Sequence, residues 1–276
     1  MLNRRHALGC LATVIIPQRT FADAGPRTEI RESLAKRFTD DGTVGTFAAY
    51  KAYDNALILS DNVRTRNAIL PASTFKIPNS IIALDTGVVG DPDKDLFRWD
   101  GKTYAIKDWN RDHTLRSAIA VSAVPVYQEI ARRIGAVRMQ KYVDAFGYGN
   151  RNIGGGIDRF WLTGNMRISP VQQLDFIDRL RRGALPASKR AQEMTRDILT
   201  VTKIGEGIIR AKTGLIGVDD RRVVETGQAS VGWLVGWAEK DSAQTVFALN
   251  LDIREPRHTA SRMLIAQQCL GDIGAI

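Results

Sequence analysis

In the stretch "PASTFKIPNS" (Pro71–Ser80), Lys76 follows Ser73 by three residues. Residues i and i+3 share one helix face, so hydroxyl and amine can meet within a single turn. Such a pair can be a nucleophile with its base, or simply the start of an ordinary helix. The surroundings suit chemistry, because Phe75, Ile77, Ile81 and Ile82 make the segment apolar. A serine at a helix N-terminus also sits in partial positive charge that favours a developing oxyanion. Pro78 removes a backbone donor inside the expected helix, which predicts a modified first turn. Lys76 can act as a base only when neutral, whereas a free lysine titrates at about 10.4. Neutrality at pH 7 then costs about 4–5 kcal/mol, attainable only through near-complete burial.

The same four-residue pattern recurs at Ser33 and Lys36, within "EIRESLAKRF". That stretch is charged and amphipathic, and it reads as a surface helix. Two further fragments follow Lys76 in order. Ser122-Ala123-Val124 lies at a predicted helix start, and Lys212-Thr213-Gly214 ends a predicted strand, with Tyr148-Gly149-Asn150 between them. HExxH, CxxC, P-loop, complete GxGxxG and GxSxG patterns are all missing, and with them the usual metal, redox, nucleotide and nucleophile-elbow fingerprints. His113 and His258 are the only histidines after His6, so a Ser-His-Asp triad is poorly supplied.

These fragments must be positioned by the elements around them. "TFAAYKA" and "ALILS", separated by Tyr53-Asp54-Asn55, read as a hairpin. From Ser73 to about Thr202 the pattern is mostly helical, interrupted by the glycine-rich loop "GYGNRNIGGGIDRFW". "GIIRAKTG", "SVGWLVGWAE" and "TVFALNLD" then follow as closely spaced antiparallel strands, and "ASRMLIAQQCL" closes the chain as a helix. Strands at both ends with helices between them predict an α+β fold. Its antiparallel sheet is built from both chain ends and flanked by helices, with a mostly helical inserted region over about 71–204. A site belongs in the crevice between the two parts.

The chain has 276 residues, 44% of them hydrophobic, enough for one large domain with a sizeable core. Its first 24 residues have a basic start, a short apolar run and the small-x-small ending "FADA", the layout of a secretory signal peptide. That run is shorter than the roughly 20 residues of a membrane span. Removal of residues 1–24 takes away three arginines and one aspartate, lowering the formal charge from +9 to +7. It also takes Cys10 and leaves Cys269 alone, so the exported domain at 25–276 must rest on its core without an intrachain disulfide. The remaining basic residues form no run and no aromatic-interleaved patch, which argues against nucleic acid as a partner.

The ordered set S-x-x-K, S-x-V, YGN and K-T-G resembles the active-site serine β-lactamases and penicillin-binding proteins. Val124, the YGN and "FWLTGNMRIS" are similar specifically to class D, the OXA-type β-lactamases, over essentially the whole mature chain. The resemblance implies that Ser73 attacks the lactam carbonyl and that Lys76, N-carboxylated by carbon dioxide or bicarbonate, is the general base. It implies that Trp161 donates its indole N–H to that carbamate and that Val124 shields it. Ser122, helped by Lys212, would relay a proton to the leaving nitrogen. The Ser73 and Leu215 N–H groups would form the oxyanion hole, and Thr213 and Arg262, beside Gly214, would hold the substrate carboxylate. Arg254 and Arg257 stand near Arg262, and spacing alone favours the latter. Asn150 and Tyr148 would shape the site. Leu215 departs from the aromatic residue frequent after K-T-G, and the "GVDDRRVVETGQ" connection is long, so both bear on the pocket rim. The implied partners are small-molecule β-lactams met in the periplasm, with a monomer or a homodimer equally compatible. Two relatives share the fragments: a β-lactam sensor that stops at the acyl-enzyme, and a small transpeptidase or carboxypeptidase.

Overall fold

The computed structural model describes residues 25–217 and 230–276. The proposed signal peptide and most of the long connection after Ile216 lie outside the described residues. Seven strands form one sheet: β1 (Arg27–Ile30), β2 (Gly45–Lys51), β3 (Ala56–Leu59), β4 (Thr200–Ile204), β5 (Gly207–Ile216), β6 (Ser230–Lys240) and β7 (Ala243–Ile253). Their order across the sheet is β1-β3-β2-β7-β6-β5-β4. N-terminal β2 pairs with C-terminal β7 from Gly45–Leu251 to Lys51–Thr245, so both chain ends do build the sheet.

Side chains alternate between the two faces of a strand, and here both faces are covered. Phe47, Ala49, Leu234, Phe247 and Leu249 face a core with Leu34, Phe38, Ile265 and Cys269. These last residues lie on α1 (Ser33–Asp40) and on the final helix, α8 (His258–Asp272). Ala48, Trp233, Val235, Trp237, Val246 and Ala248 face the opposite, larger core. That core is shared with the helical insertion: α2 (Lys76–Asp85), α3 (Leu115–Ala120), α4 (Val124–Ile134), α5 (Ala136–Phe146), α6 (Pro170–Arg181) and α7 (Lys189–Asp197). Thr114 and Ser169 begin α3 and α6 with reciprocal capping boxes, which satisfy N-terminal donors that the helix cannot.

Three features differ from expectation. The helical part ends at Asp197, and Thr200–Ile204 form β4, hairpin-paired to β5. Its β-branched Thr200, Val201 and Thr202 fit a strand better than a helix. The sheet is mixed, because β1 runs parallel to β3, the chain having crossed back through α1 and β2. Residues 86–113 are loop rather than helix, rich in Gly, Pro and Asp, with a Phe97–His113 bridge and one 3-10 turn at Lys107–Trp109. Ser33 and Lys36 lie on exposed α1, where Lys36 pairs with Asp40 at 2.5 Å, as a surface helix predicts.

Strands β5 and β6 approach unusually closely at Gly236. A Cβ built there would stand 2.0 Å from the Arg210 carbonyl oxygen and 2.7 Å from the Ala211 Cα. Backbone on a paired strand cannot yield. Gly236→Ala should therefore cost about 2–4 kcal/mol in urea unfolding.

Candidate active site

Ser73 lies in a 3-10 turn, Ala72–Phe75, that runs directly into α2. The Ser73 N–H precedes the first bond of that turn, Thr74 N–H to Pro71 carbonyl at 3.1 Å, so it has no acceptor within the turn. Several elements hold the turn. The Ala72 N–H donates to the Trp161 carbonyl at 2.9 Å, and Trp233 Nε1 donates to the Leu70 carbonyl at 2.9 Å. Thr74 Oγ1 donates to Pro71 and accepts from Gln173 Nε2 of α6. Ala72 takes φ of +48°, a conformation that costs a non-glycine residue about 1–3 kcal/mol; these bonds impose it.

Lys76 Nζ lies 2.8 Å from Ser73 Oγ and 5.2 Å from the centre of the Tyr127 ring on α4. Lys76 is fully buried. Burial, and secondarily the charge of Lys212, push its pKa well below the usual lysine range. The serine is partly open to solvent while its base is enclosed, an arrangement that suits a nucleophile facing a cleft. Beside it, Phe75 stacks on Trp161 with centroids 5.5 Å apart. The Trp161 Nε1 is buried and finds no acceptor among the described residues. An unpaired buried donor is costly, and this one lies beside the Ser73 turn, whose Ala72 N–H donates to the Trp161 carbonyl.

Ser122 follows α3 with φ of +55°, and its Oγ accepts a hydrogen bond from Lys212 Nζ. Lys212 also reaches the Thr213 carbonyl at 3.0 Å. Burial, with the Arg262 charge adding to it, lowers its pKa to about 7. Gly214 lets β5 pass tightly against the nucleophile turn, since a Cβ there would lie 3.2 Å from the Pro71 carbonyl oxygen and from Thr74 Cγ2. Three of the four motifs thus meet: Ser73 and Lys76, Ser122, and Lys212 to Gly214. The fourth supports from outside. Asn150 donates to the Asn165 carbonyl and accepts from the Arg167 N–H, and buried Tyr148 meets Phe75 edge-on.

Arg262 comes to the same strand from α8. Its Nη1 donates to the Gly214 carbonyl at 2.7 Å and its Nε to the Thr259 carbonyl at 2.7 Å. Gly232 makes the passage, because a Cβ there would stand 2.7 Å from Arg262 Cδ. Arg254 and Arg257 are half exposed and face Asp252, Asp41 and Glu255, so of these three arginines it is Arg262 that reaches β5. In a trans peptide the Leu215 N–H points opposite to the Gly214 carbonyl, hence away from Arg262. The Leu215 side chain is exposed, and Val124 opens α4 half-buried.

The two histidines are structural. His258 Nδ1 accepts from the Arg254 and Glu255 N–H groups, and His113 is buried against Ser117 and the Asp108 carbonyl. Tyr127 was hidden in the sequence. Its only signal is its position one turn after Val124, on the face α4 turns to α2, where its hydroxyl meets Ser80 at 2.8 Å.

Comparison with known proteins matches this arrangement. The family model "Penicillin binding protein transpeptidase domain" covers residues 39–273, so the chain has the fold of the penicillin-binding transpeptidases. More narrowly, the chain belongs to the class D β-lactamases. It is 42% identical over 258 residues to β-lactamase OXA-5 of Pseudomonas aeruginosa, covering 93% of this chain and 94% of that one. It is 43% identical to OXA-10 of the same organism, with 92% of each chain covered. The class D β-lactamase FUS-1 (OXA-85) of Fusobacterium nucleatum subsp. polymorphum superposes with a TM-score of 0.83 at 32% identity, over 90% of this chain and 100% of that one.

Burying a lysine has a pH signature. Lys212 is neutral in the folded protein above about pH 7, whereas the unfolded chain keeps its proton up to about 10.4. Between these values the unfolded state binds more protons, so stability rises with pH; below about 7 the full penalty applies. Lys212→Met should therefore gain about 1–4 kcal/mol over the parent at pH 7, and urea unfolding at pH 10 should show that gain largely gone.

Proposed function

We propose that the protein hydrolyses β-lactam antibiotics in the periplasm through an acyl-enzyme on Ser73, with N-carboxylated Lys76 as general base. The observation that carries this is the fully buried Lys76 amine, its pKa pushed well below the usual lysine range, 2.8 Å from Ser73 Oγ. Only an uncharged amine combines with carbon dioxide, and the unpartnered Trp161 Nε1 supplies a donor for an added carbamate oxygen. When formed, the carbamate supplies a base of far lower pKa than an amine, able to accept a proton and return it. Export is supported by the signal-like residues 1–24.

The chain's own groups take the remaining roles. The N–H groups of Ser73 and Leu215 face a carbonyl oxygen as it gains charge, each donor worth about 2.7–4 kcal/mol. Ser122 passes a proton to the departing lactam nitrogen, drawing it from Lys212, whose lowered pKa lets it give and regain a proton near neutrality. The substrate carboxylate meets Thr213 and the buried charge of Arg262. Val124 and Tyr127 keep bulk water from Lys76, which maintains its neutrality. Leu215, exposed at the rim, contributes an aliphatic wall where the wider family favours an aromatic one.

Nitrocefin turnover with and without added bicarbonate tests the whole scheme. Multiple turnovers that rise with bicarbonate are expected, with Lys76→Ala losing about 10²–10⁴-fold. Stoichiometric acylation without turnover would instead mark a sensor, and bicarbonate-independent turnover that survives Lys76→Ala would remove the carbamate. Trp161→Phe keeps the stack on Phe75 but removes the N–H. It should raise the bicarbonate concentration needed for half-maximal activity by about tenfold; an unchanged bicarbonate requirement would exclude this role for the indole.

A further inference from the structure

Ser122 needs a backbone conformation that an L-residue adopts reluctantly, and the residues that enforce it lie in the 86–113 loop. Its φ of +55° is set by the orientation of the Val121–Ser122 peptide, a rigid plane with a carbonyl at one edge and an N–H at the other. The N–H edge donates to the Ile119 carbonyl at 3.3 Å. The carbonyl edge accepts from Trp109 Nε1 at 3.0 Å. Among the described residues Trp109 makes the one tertiary hydrogen bond to that peptide, since the other bonds of this turn come from α3 itself.

The indole is itself held. Trp109 ends the 3-10 turn Lys107–Trp109, and its backbone N–H donates to the Ile106 carbonyl at 3.0 Å. Buried His113 Nε2 donates to the Asp108 carbonyl at 2.8 Å, and the His113 backbone pairs with Phe97 in both directions. Trp109 packs against the larger core, meets Tyr104 edge-on with centroids 6.0 Å apart, and lines a cavity of about 170 Å³ with Phe97, Tyr104 and Val126. The bond to Val121 ties the orientation of the ring to that of the peptide.

We infer that Trp109 is a positioning residue for Ser122: its indole N–H pins the Val121–Ser122 peptide and so aims Ser122 Oγ at Lys212 and the leaving nitrogen. This rests on the relay role proposed for Ser122. A wall residue would contact substrate side chains and discriminate among them; a positioning residue acts on the proton transfer and is indifferent to them.

The test removes the N–H in two ways. Trp109→Phe is the simpler, and benzothienylalanine at position 109 keeps the two-ring shape with sulfur in place of nitrogen. Single-turnover acylation of the full mature chain is followed with nitrocefin, a penicillin of small side chain and one of bulky side chain, beside thermal unfolding. Both variants should fold with an unchanged thermal midpoint. Both should acylate about tenfold more slowly, by one factor for all three substrates and with unaltered substrate affinity. Placed in Ser122→Ala, the same changes should cost less than about twofold, because the groups act as a unit. A loss confined to the bulky penicillin, or a tenfold loss that persists in the Ser122→Ala background, overturns the proposal. Full-rate acylation by Ser122→Ala alone overturns the relay role of Ser122 and the proposal with it, a result distinct from either.

Discussion

The amine of Lys76 is wholly enclosed, held well below the usual lysine pKa range by that burial, and in contact with the hydroxyl of Ser73, and the architecture follows from keeping it so. Desolvating a lysine this completely opposes folding, and Lys212 and Arg262 repeat the cost nearby with charges of the same sign. The burial of Arg262 lowers its own pKa to about 10. Two apolar cores, one on each face of the sheet, offset that opposition. A site so unfavourable to the fold persists only because the surrounding packing over-determines it.

The strain is distributed in the same way. Ala72, beside the nucleophile, and Ser122, the second serine, both take positive φ, and each is held from a remote part of the chain. Trp161 and Gln173 secure the first turn from the YGN loop and α6; Trp109 secures the second from the 86–113 loop. The sheet contributes β5, whose Gly214 allows close approach, and α8 contributes Arg262 through the space left by Gly232. The crevice is thus assembled from segments that share no local sequence relation.

Much of this was legible in the residues. The hairpin of β2 and β3, strands β5 to β7 and the closing helix declare themselves by apolar periodicity, because both sheet faces are buried and each strand carries two sets of core side chains. The motif triplets declare the chemistry because serine, lysine and glycine are each needed for a local reason. Less legible were β4, read as helix because its five residues are short and partly exposed at a sheet edge, and the parallel pairing of β1, which depends on where the chain returns. Tyr127 looked like any core aromatic on α4. Trp109 looked like a loop aromatic, since nothing in "AIKDWNRD" indicates that its N–H reaches across to Val121.

The amino-acid sequence by itself determined the class of fold, the serine–lysine pair, the two supporting motifs and the need for a neutral amine, since each depends on residue type, spacing and apolar context. Only the tertiary structure decided that Lys76 is fully buried, that Arg262 rather than Arg254 or Arg257 reaches β5, and that Trp161 holds a donor with no partner among the described residues. The physical reason is desolvation: it is set by everything that surrounds a group in space, and neighbours in sequence supply only a fraction of that surrounding.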